Sequence, residues 1–201
     1  MNTAIMTISQ GLPPAGVHSY EDAEQVPFEI SKYWHQRYEI FSKYDEGIWM
    51  TDDAWFGVTP EPVANEIAQQ IAAAPSTKTV LIDAFAGAGG NTIAFAKSGR
   101  WKQIFAVEKD PRVLACAKHN AELYGVSHKI FWIEGDIFDV LEARMKPLAK
   151  NAVVFGSPPW GGALMTVMFA DLAGLPDIDW FRSNVCRLRS LRPERNASVS
   201  T

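Results

Sequence analysis

The chain is short of everything that would make a disulfide scaffold, a metal knuckle or a membrane anchor. Its two cysteines, Cys116 and Cys186, lie far apart with no Cys/His cluster around either, which excludes a disulfide-built fold and fits a reducing compartment. The four histidines, His18, His35, His119 and His128, show no metal-ligand spacing, so no metal is expected. Basic residues are outnumbered: 19 Lys and Arg against 23 Asp and Glu leave a net charge of -4. That excludes a broadly basic nucleic-acid-binding surface, though not a local basic patch. Residues 1–16 have no basic start and no long apolar core, hence no signal peptide. The most apolar later stretch, 163–175, is interrupted by Thr166 and Asp171 and is too short to cross a bilayer. The expectation is a soluble intracellular protein with no membrane partner. No internal repeat is visible. What is present is ordinary: 201 residues, 47% hydrophobic and 21% charged, enough for one globular domain.

The chain reads in four parts. Residues 1–27 mix Gly, Pro, Ser and acids without apolar periodicity and predict a flexible arm. Residues 28–75 predict a small helical lobe. Ile30, Trp34, Tyr38 and Phe41 recur at helical spacing, giving one amphipathic helix with an aromatic face. After a break at 44–47, Thr59-Pro60 reads as an N-cap with a first-turn proline, and Val63, Ile67 and Ile71 stack behind it. Residues 76–162 change rhythm. Apolar runs at 79–83, 104–107, 130–133 and 152–155 alternate with helical segments, one of them capped by Asp110-Pro111 and stopped by Gly125, another running from 137 to about 145. Apolar strands alternating with helices predict an α/β fold with a Rossmann-like parallel sheet. The remainder, 163–201, shows no convincing strand pairs and reads as an atypical, partly disordered tail carrying Arg182, Arg187, Arg189, Arg192 and Arg195.

In such a sheet ligands bind at the carboxyl ends of the strands. Asp83, Glu108 and Asp136 fall there. The turn from Asp83 to Gly90 brings bare backbone towards a ligand at Gly87, Gly89 and Gly90, and Glu108 sits where an acid accepts from both hydroxyls of a ribose. The glycine spacing is not GxGxxG, and Asp83 stands where a pyrophosphate would be repelled. An acid there suits the amino group of a methionine moiety, which favours S-adenosylmethionine over a nicotinamide dinucleotide. No Walker lysine follows the turn. A plainer reading is that the glycines only permit tight strand-to-helix packing.

The fourth apolar run ends in Gly156-Ser157-Pro158-Pro159-Trp160-Gly161-Gly162. Two prolines cannot donate to a ladder, so the strand stops and leaves a rigid corner with free carbonyls, a serine and an aromatic plate. That corner suits a planar substrate with an exocyclic amine: Ser157 and backbone oxygen orient the amine while Trp160 stacks on the ring, a contact worth roughly 1–3 kcal/mol. A cationic base adds a cation–π term. An ordinary turn with a core tryptophan is the alternative.

These elements together resemble the class I S-adenosylmethionine-dependent methyltransferases, whose members acting on exocyclic nitrogen carry an [N/D/S]PP[aromatic] corner. More narrowly the chain is similar to the trimethylguanosine synthase family over residues 30–162. The resemblance is carried by Lys32 to Tyr38, Phe41 to Ile48, Trp55 to Glu61, Asp83 to Thr92, Asn120 to Gly125 and Ser157 to Gly162. It implies methyl transfer to the 2-amino group of the 7-methylguanosine cap of small nuclear and nucleolar RNA, normally twice, in the nucleus. It also implies roles by position. Asp83, Phe85, Gly87, Gly89, Asn91, Thr92 and Glu108 hold the cofactor, with Asp136 near its adenine and Thr59-Pro60 closing over it. Trp160 stacks on the cap base, Ser157 and Pro158 orient the amine, and Asn120 lies near the cap phosphates.

Two departures stand out. Trp49 occupies a position where the family usually has lysine, and after Gly162 the family's Pro-x-Tyr segment and three further strands are not recognisable, so the sheet is expected to be incomplete at its C-terminus, as in a truncated or alternatively spliced product. The alternative reading is therefore an impaired module that holds the cofactor or an RNP protein without turnover. An amino-methyltransferase for another base or for protein glutamine is a further reading, disfavoured by the helical-lobe matches.

Overall fold

The computed structural model describes residues 11–145, 148, 151–158 and 168–171, with 144, 145 and 168–171 as backbone only. Four strands run parallel: β1 (Val80–Asp83), β2 (Gln103–Glu108), β3 (Ile130–Glu134) and β4 (Ala152–Gly156). A fifth, β5 (Met168–Asp171), pairs antiparallel with β4, and the order across the sheet is β3-β2-β1-β4-β5. β1 thus lies between β2 and β4, with Ile82 level with Phe105 on one side and Val154 on the other. The chain leaves β1 for one neighbour and returns on the other, so the crevice at the end of β1 is the topological switch point.

Alternation within β1 divides the core. Leu81 joins a large cluster with Phe95, Cys116 and Phe155, shared with the helices α3 (Glu61–Ala72), α4 (Gly90–Lys97) and α5 (Pro111–Leu123). Val80 and Ile82 face the other way, onto Val107, Val154 and the short α6 (Ile137–Val140). β1 and β4 are buried at every position, as expected of strands covered on both faces. β3, at the edge, is not: Phe131 is half exposed and stacks on Phe105.

Several sequence expectations need correction. The 11–27 segment is no free arm: Val17 and Tyr20 are buried, His18 bridges Met50, and the Tyr20 hydroxyl donates to Asp52 Oδ1 at 2.8 Å. The single aromatic helix is two, α1 (Phe28–Trp34) and α2 (Arg37–Ile40). The Arg37 guanidinium lies over the Trp34 ring at 3.8 Å and donates to the Trp34 carbonyl, occupying an acceptor that an unbroken helix would use. Tyr38 is accordingly exposed, and Phe41 is buried beyond the end of α2. Thr59 does not cap α3. Pro60 takes the cap position, and Thr59 Oγ1 instead accepts from Asn91 Nδ2. Val63 faces solvent, while Ala64, Ile67, Ala68 and Ile71 make the buried stripe. α6 ends at Val140 and continues in wider turns over Leu141–Met145. Finally, β5 is a strand where none was expected; the register with β4, not hydrophobic pattern, defines it. The Asp110-Pro111 start and the glycine at 125 behave as read: Asp110 accepts from Arg112 N, and Gly125 has φ +69.

The lobe is fastened to the sheet layer through Glu61. Its carboxylate accepts from Lys97 Nζ (2.8 Å), Ser42 N (2.9 Å) and the Tyr124 hydroxyl (2.7 Å), joining four segments. Burial alone would raise its pKa, but these donors prevail and hold it at about 2. The side chain is only 17% exposed, so hydrogen bonds to this charge are worth roughly 1.5–3 kcal/mol each. A pKa below the unfolded value adds stability above about pH 4.5 that drains away as pH falls towards 2. Glu61→Gln should therefore lower stability by on the order of 2 kcal/mol at neutral pH. In urea titrations the gap between the two proteins should close on acidification; a constant gap from pH 7 to 3 would contradict this.

Candidate functional site

The first turn of chain after β1 is shaped by what lies against it. Gly89 has φ +98, and a Cβ there would meet the Ala117 backbone at 3.3 Å. At Gly90 a Cβ would meet the Thr59 carbonyl oxygen at 3.0 Å, so the helical lobe rests directly on the start of α4. Over this turn lies a cavity of about 390 Å³, within the range of small-ligand sites. Its floor is the turn itself, Ala84 to Ala88 with Gly90 and Asn91. The lobe contributes Asp53, Ala54, Gly57, Val58 and Thr59 to the wall. Val107, Glu108 and Val113 come from β2 and α5; Asp136, Ile137 and Phe138 from the end of β3 and α6; Ser157 from the end of β4. Lys109 is the one cationic side chain among the described wall residues.

Glu108 is held by backbone. Oε2 accepts from Gly87 N at 3.1 Å, and Oε1 accepts from Lys109 N (2.9 Å) and Asp110 N (3.0 Å). A carboxylate has roughly four lone-pair sites, so capacity remains for a ligand's hydroxyls. Asp136 caps α6 through Phe138 N at 2.9 Å, which fixes its place on the wall.

Asp83 sits differently from its sequence expectation. It is fully buried and is not on the cavity wall. Oδ2 accepts from the Thr92 hydroxyl and Oδ1 from Phe85 N, so it ties β1, the turn and α4 together from beneath. Burial pushes its pKa up to about 6, against the pull of the two hydrogen bonds and with added repulsion from Glu108. Thr92, Gly89 and Pro60 likewise lie behind the wall. Thr59, Phe85, Gly87, Asn91, Glu108, Asp136 and Ser157 are on it. Pro158 is buried beside Ser157, and Trp160 lies outside the described residues.

Asn120 requires a correction. The sequence expectation puts it near a substrate's phosphates, yet it is 0% exposed and both its amide protons are taken. Oδ1 accepts from Trp49 N at 2.8 Å, while Nδ2 donates to the carbonyls of Trp49 (2.9 Å) and Ala88 (3.0 Å). It positions backbone and has no donor left for a ligand. Its neighbour His119 donates from Nε2 to the Gly47 carbonyl and stacks on Trp49 at 3.8 Å between ring centroids. Cys116 is buried, and its thiol is pushed up to about 12 by burial. Among the described residues no group of three or more His, Cys, Asp or Glu is arranged to hold a metal ion, and no helix is long and apolar enough to cross a membrane.

Sequence reasoning missed the lobe's wall residues Asp53, Ala54 and Gly57, and Lys109 and Phe138 on the far side. The lobe residues adjoin or belong to the 55–61 stretch that carries the resemblance, a signal that was available. Phe138 had none beyond its nearness to Asp136.

Comparison with known proteins agrees with this geometry. Residues 78–166 match the family model described as RNA cap guanine-N2 methyltransferase. Trimethylguanosine synthase of Schizosaccharomyces pombe is 44% identical over 138 residues, 68% of this chain and 56% of that protein. The Saccharomyces cerevisiae trimethylguanosine synthase is 37% identical over 135 residues, 67% of this chain and 42% of that protein. The chain thus spans about half the length of the curated relatives it matches. Among solved structures, an RNA methyltransferase from Salinibacter ruber in complex with S-adenosyl-L-homocysteine is 25% identical at a TM-score of 0.37, covering 49% of this chain and 75% of that one. The parallel β3-β2-β1-β4 run, with a cavity at the end of β1 and an acid closing β2, is a Rossmann-like sheet, and with the match over residues 78–166 it is that of a class I methyltransferase. Within that class, the family that residues 78–166 match is the one described as RNA cap guanine-N2 methyltransferase.

Because the folded pKa of Asp83 exceeds the unfolded value of 3.8, its contribution to stability is complete below about pH 4 and is lost as pH rises through about 6. Asp83→Asn has no such loss. Thermal melts should show the unsubstituted chain falling relative to the variant between pH 4 and 6 and running parallel to it above; parallel curves throughout would show that Asp83 ionises as freely folded as unfolded.

Proposed function

We propose that the chain transfers methyl groups from S-adenosyl-L-methionine to the exocyclic 2-amino group of the 7-methylguanosine cap of small nuclear or nucleolar RNA, forming the 2,2,7-trimethylguanosine cap in the nucleus. The observation that carries this reading is the continuity of one cavity from Glu108, the backbone-held acid after β2, to Ser157 at the end of β4, within the 78–166 segment that matches the family. The cofactor, when bound, supplies an electrophilic methyl group on a sulfonium.

The wall fits that group. Glu108 keeps acceptor capacity for ribose hydroxyls, Val107, Val113, Ile137 and Phe138 offer apolar walls to a purine, and the turn gives close backbone approach. Thr59, Phe85, Gly87, Asn91, Glu108 and Asp136 touch the cofactor in this reading. Pro60, Gly89, Asp83 and Thr92 support them from behind. Ser157 and the carbonyls of the Pro158 corner accept hydrogen bonds from the cap's amine and so aim its lone pair, while Trp160 stacks on the cationic base. No general base is required, because the amine loses its proton after attack. The protein's contribution is position, which accounts for much of the rate of a two-substrate reaction.

The experiment is to incubate the chain with labelled S-adenosyl-L-methionine and a 7-methylguanosine cap analogue. Label on the cap supports the proposal; cofactor binding without transfer supports the alternative of a binding module for the cofactor or an RNP protein. Trp160→Ala should weaken cap binding roughly 5- to 150-fold and leave cofactor affinity within about twofold, since stacking contributes roughly 1–3 kcal/mol to the base alone. Equal loss of both affinities would refute this division of the site.

A further inference from the structure

Four buried side-chain polar atoms among the described residues have no hydrogen-bond partner. Three are the indole N–H groups of Trp55, Trp101 and Trp132, none of which is on the cavity wall. The fourth is Oδ1 of Asn91, a wall residue that is only 8% exposed. Its other amide atom is committed: Nδ2 donates to Thr59 Oγ1 at 2.9 Å. An orphaned acceptor in a native interior is uncommon and calls for a donor.

The surroundings say what kind. Thr92, the next residue, holds the Asp83 carboxylate, and Glu108 reaches the same turn through Gly87 N. Two acids therefore bias this end of the cavity towards a positive ligand. The N-terminus of α4 opposes a cation with about half a charge, which two carboxylates outweigh. Asp83 does not meet the ligand itself, since it is fully buried beneath the wall.

We infer that Asn91 Oδ1 is the acceptor for a primary ammonium group, the α-amino group at the amino-acid end of the cofactor. This rests on the cofactor reading above. It moves that contact from the buried aspartate to a neutral amide in front of it, with the acid acting through its field. Oδ1 is covered in the ligand-free packing, and rotation about χ2, a soft torsion, brings it to the wall as the ligand enters. That rotation releases Nδ2 from the Thr59 hydroxyl, which belongs to the lobe, so recognition of the amine is linked to the lobe's position.

Calorimetry on the full chain with three probes tests this: S-adenosyl-L-homocysteine, its analogue lacking the amino group, and 5′-methylthioadenosine, which lacks the amino-acid end. The chain should prefer the amine-bearing ligand over the deaminated one by on the order of tenfold or more, as for a hydrogen bond to a charged group. Asn91→Ala should erase that preference while binding 5′-methylthioadenosine within about twofold of the original, which also shows that the variant is folded. Asn91→Asp, still an acceptor, should keep the preference. An unchanged preference in Asn91→Ala, or an equal loss for all three probes, overturns the inference. No binding of any probe by the unsubstituted chain overturns the cofactor reading as well.

Discussion

A single carboxamide governs how the two halves of this molecule meet. Asn120, on α5, takes Trp49 by both its N–H and its carbonyl and holds the Ala88 carbonyl with its remaining proton. The backbone of the lobe and the backbone of the glycine-rich turn are thereby referred to the same side chain at 0% exposure. Both donors of that amide and its oxygen are engaged, so the geometry is specified and not merely permitted. The cavity exists because the lobe roof and the turn floor are held at this spacing, and Glu61 repeats the connection at the far end of α4.

The two acids nearest the turn show how environment assigns different work to the same functional group. Glu108 keeps part of its acceptor capacity for a ligand because backbone N–H groups fill only some of its sites. Asp83, at the end of β1, is sealed under the floor with its pKa pushed up by burial to about 6. One faces the cavity; the other is a source of field and a fastener for Phe85 and Thr92.

Much of the frame was legible because it is written in local chemistry. The apolar runs that became β1 to β4, the Asp110-Pro111 start and the glycines at 87 and 89 need only sterics and burial to be read. The errors have a common cause: each depends on a partner distant in sequence. Thr59 looked like a cap because nothing local shows that Asn91 claims its hydroxyl. Asn120 looked like a phosphate contact until Trp49 and Ala88 filled it. The 11–27 segment looked unstructured because its burial depends on Met50 and Asp52. β5 owes its existence to pairing with β4, which a short run of mixed residues does not announce.

The contact between the Thr59 carbonyl and the space above Gly90 leaves no slack between roof and floor. A side chain at position 90 would push the Thr59 backbone, and with it this edge of the roof, away from α4. Without the lobe, the start of α4 would be uncovered and the Asn91 amide would lose the hydroxyl that holds it.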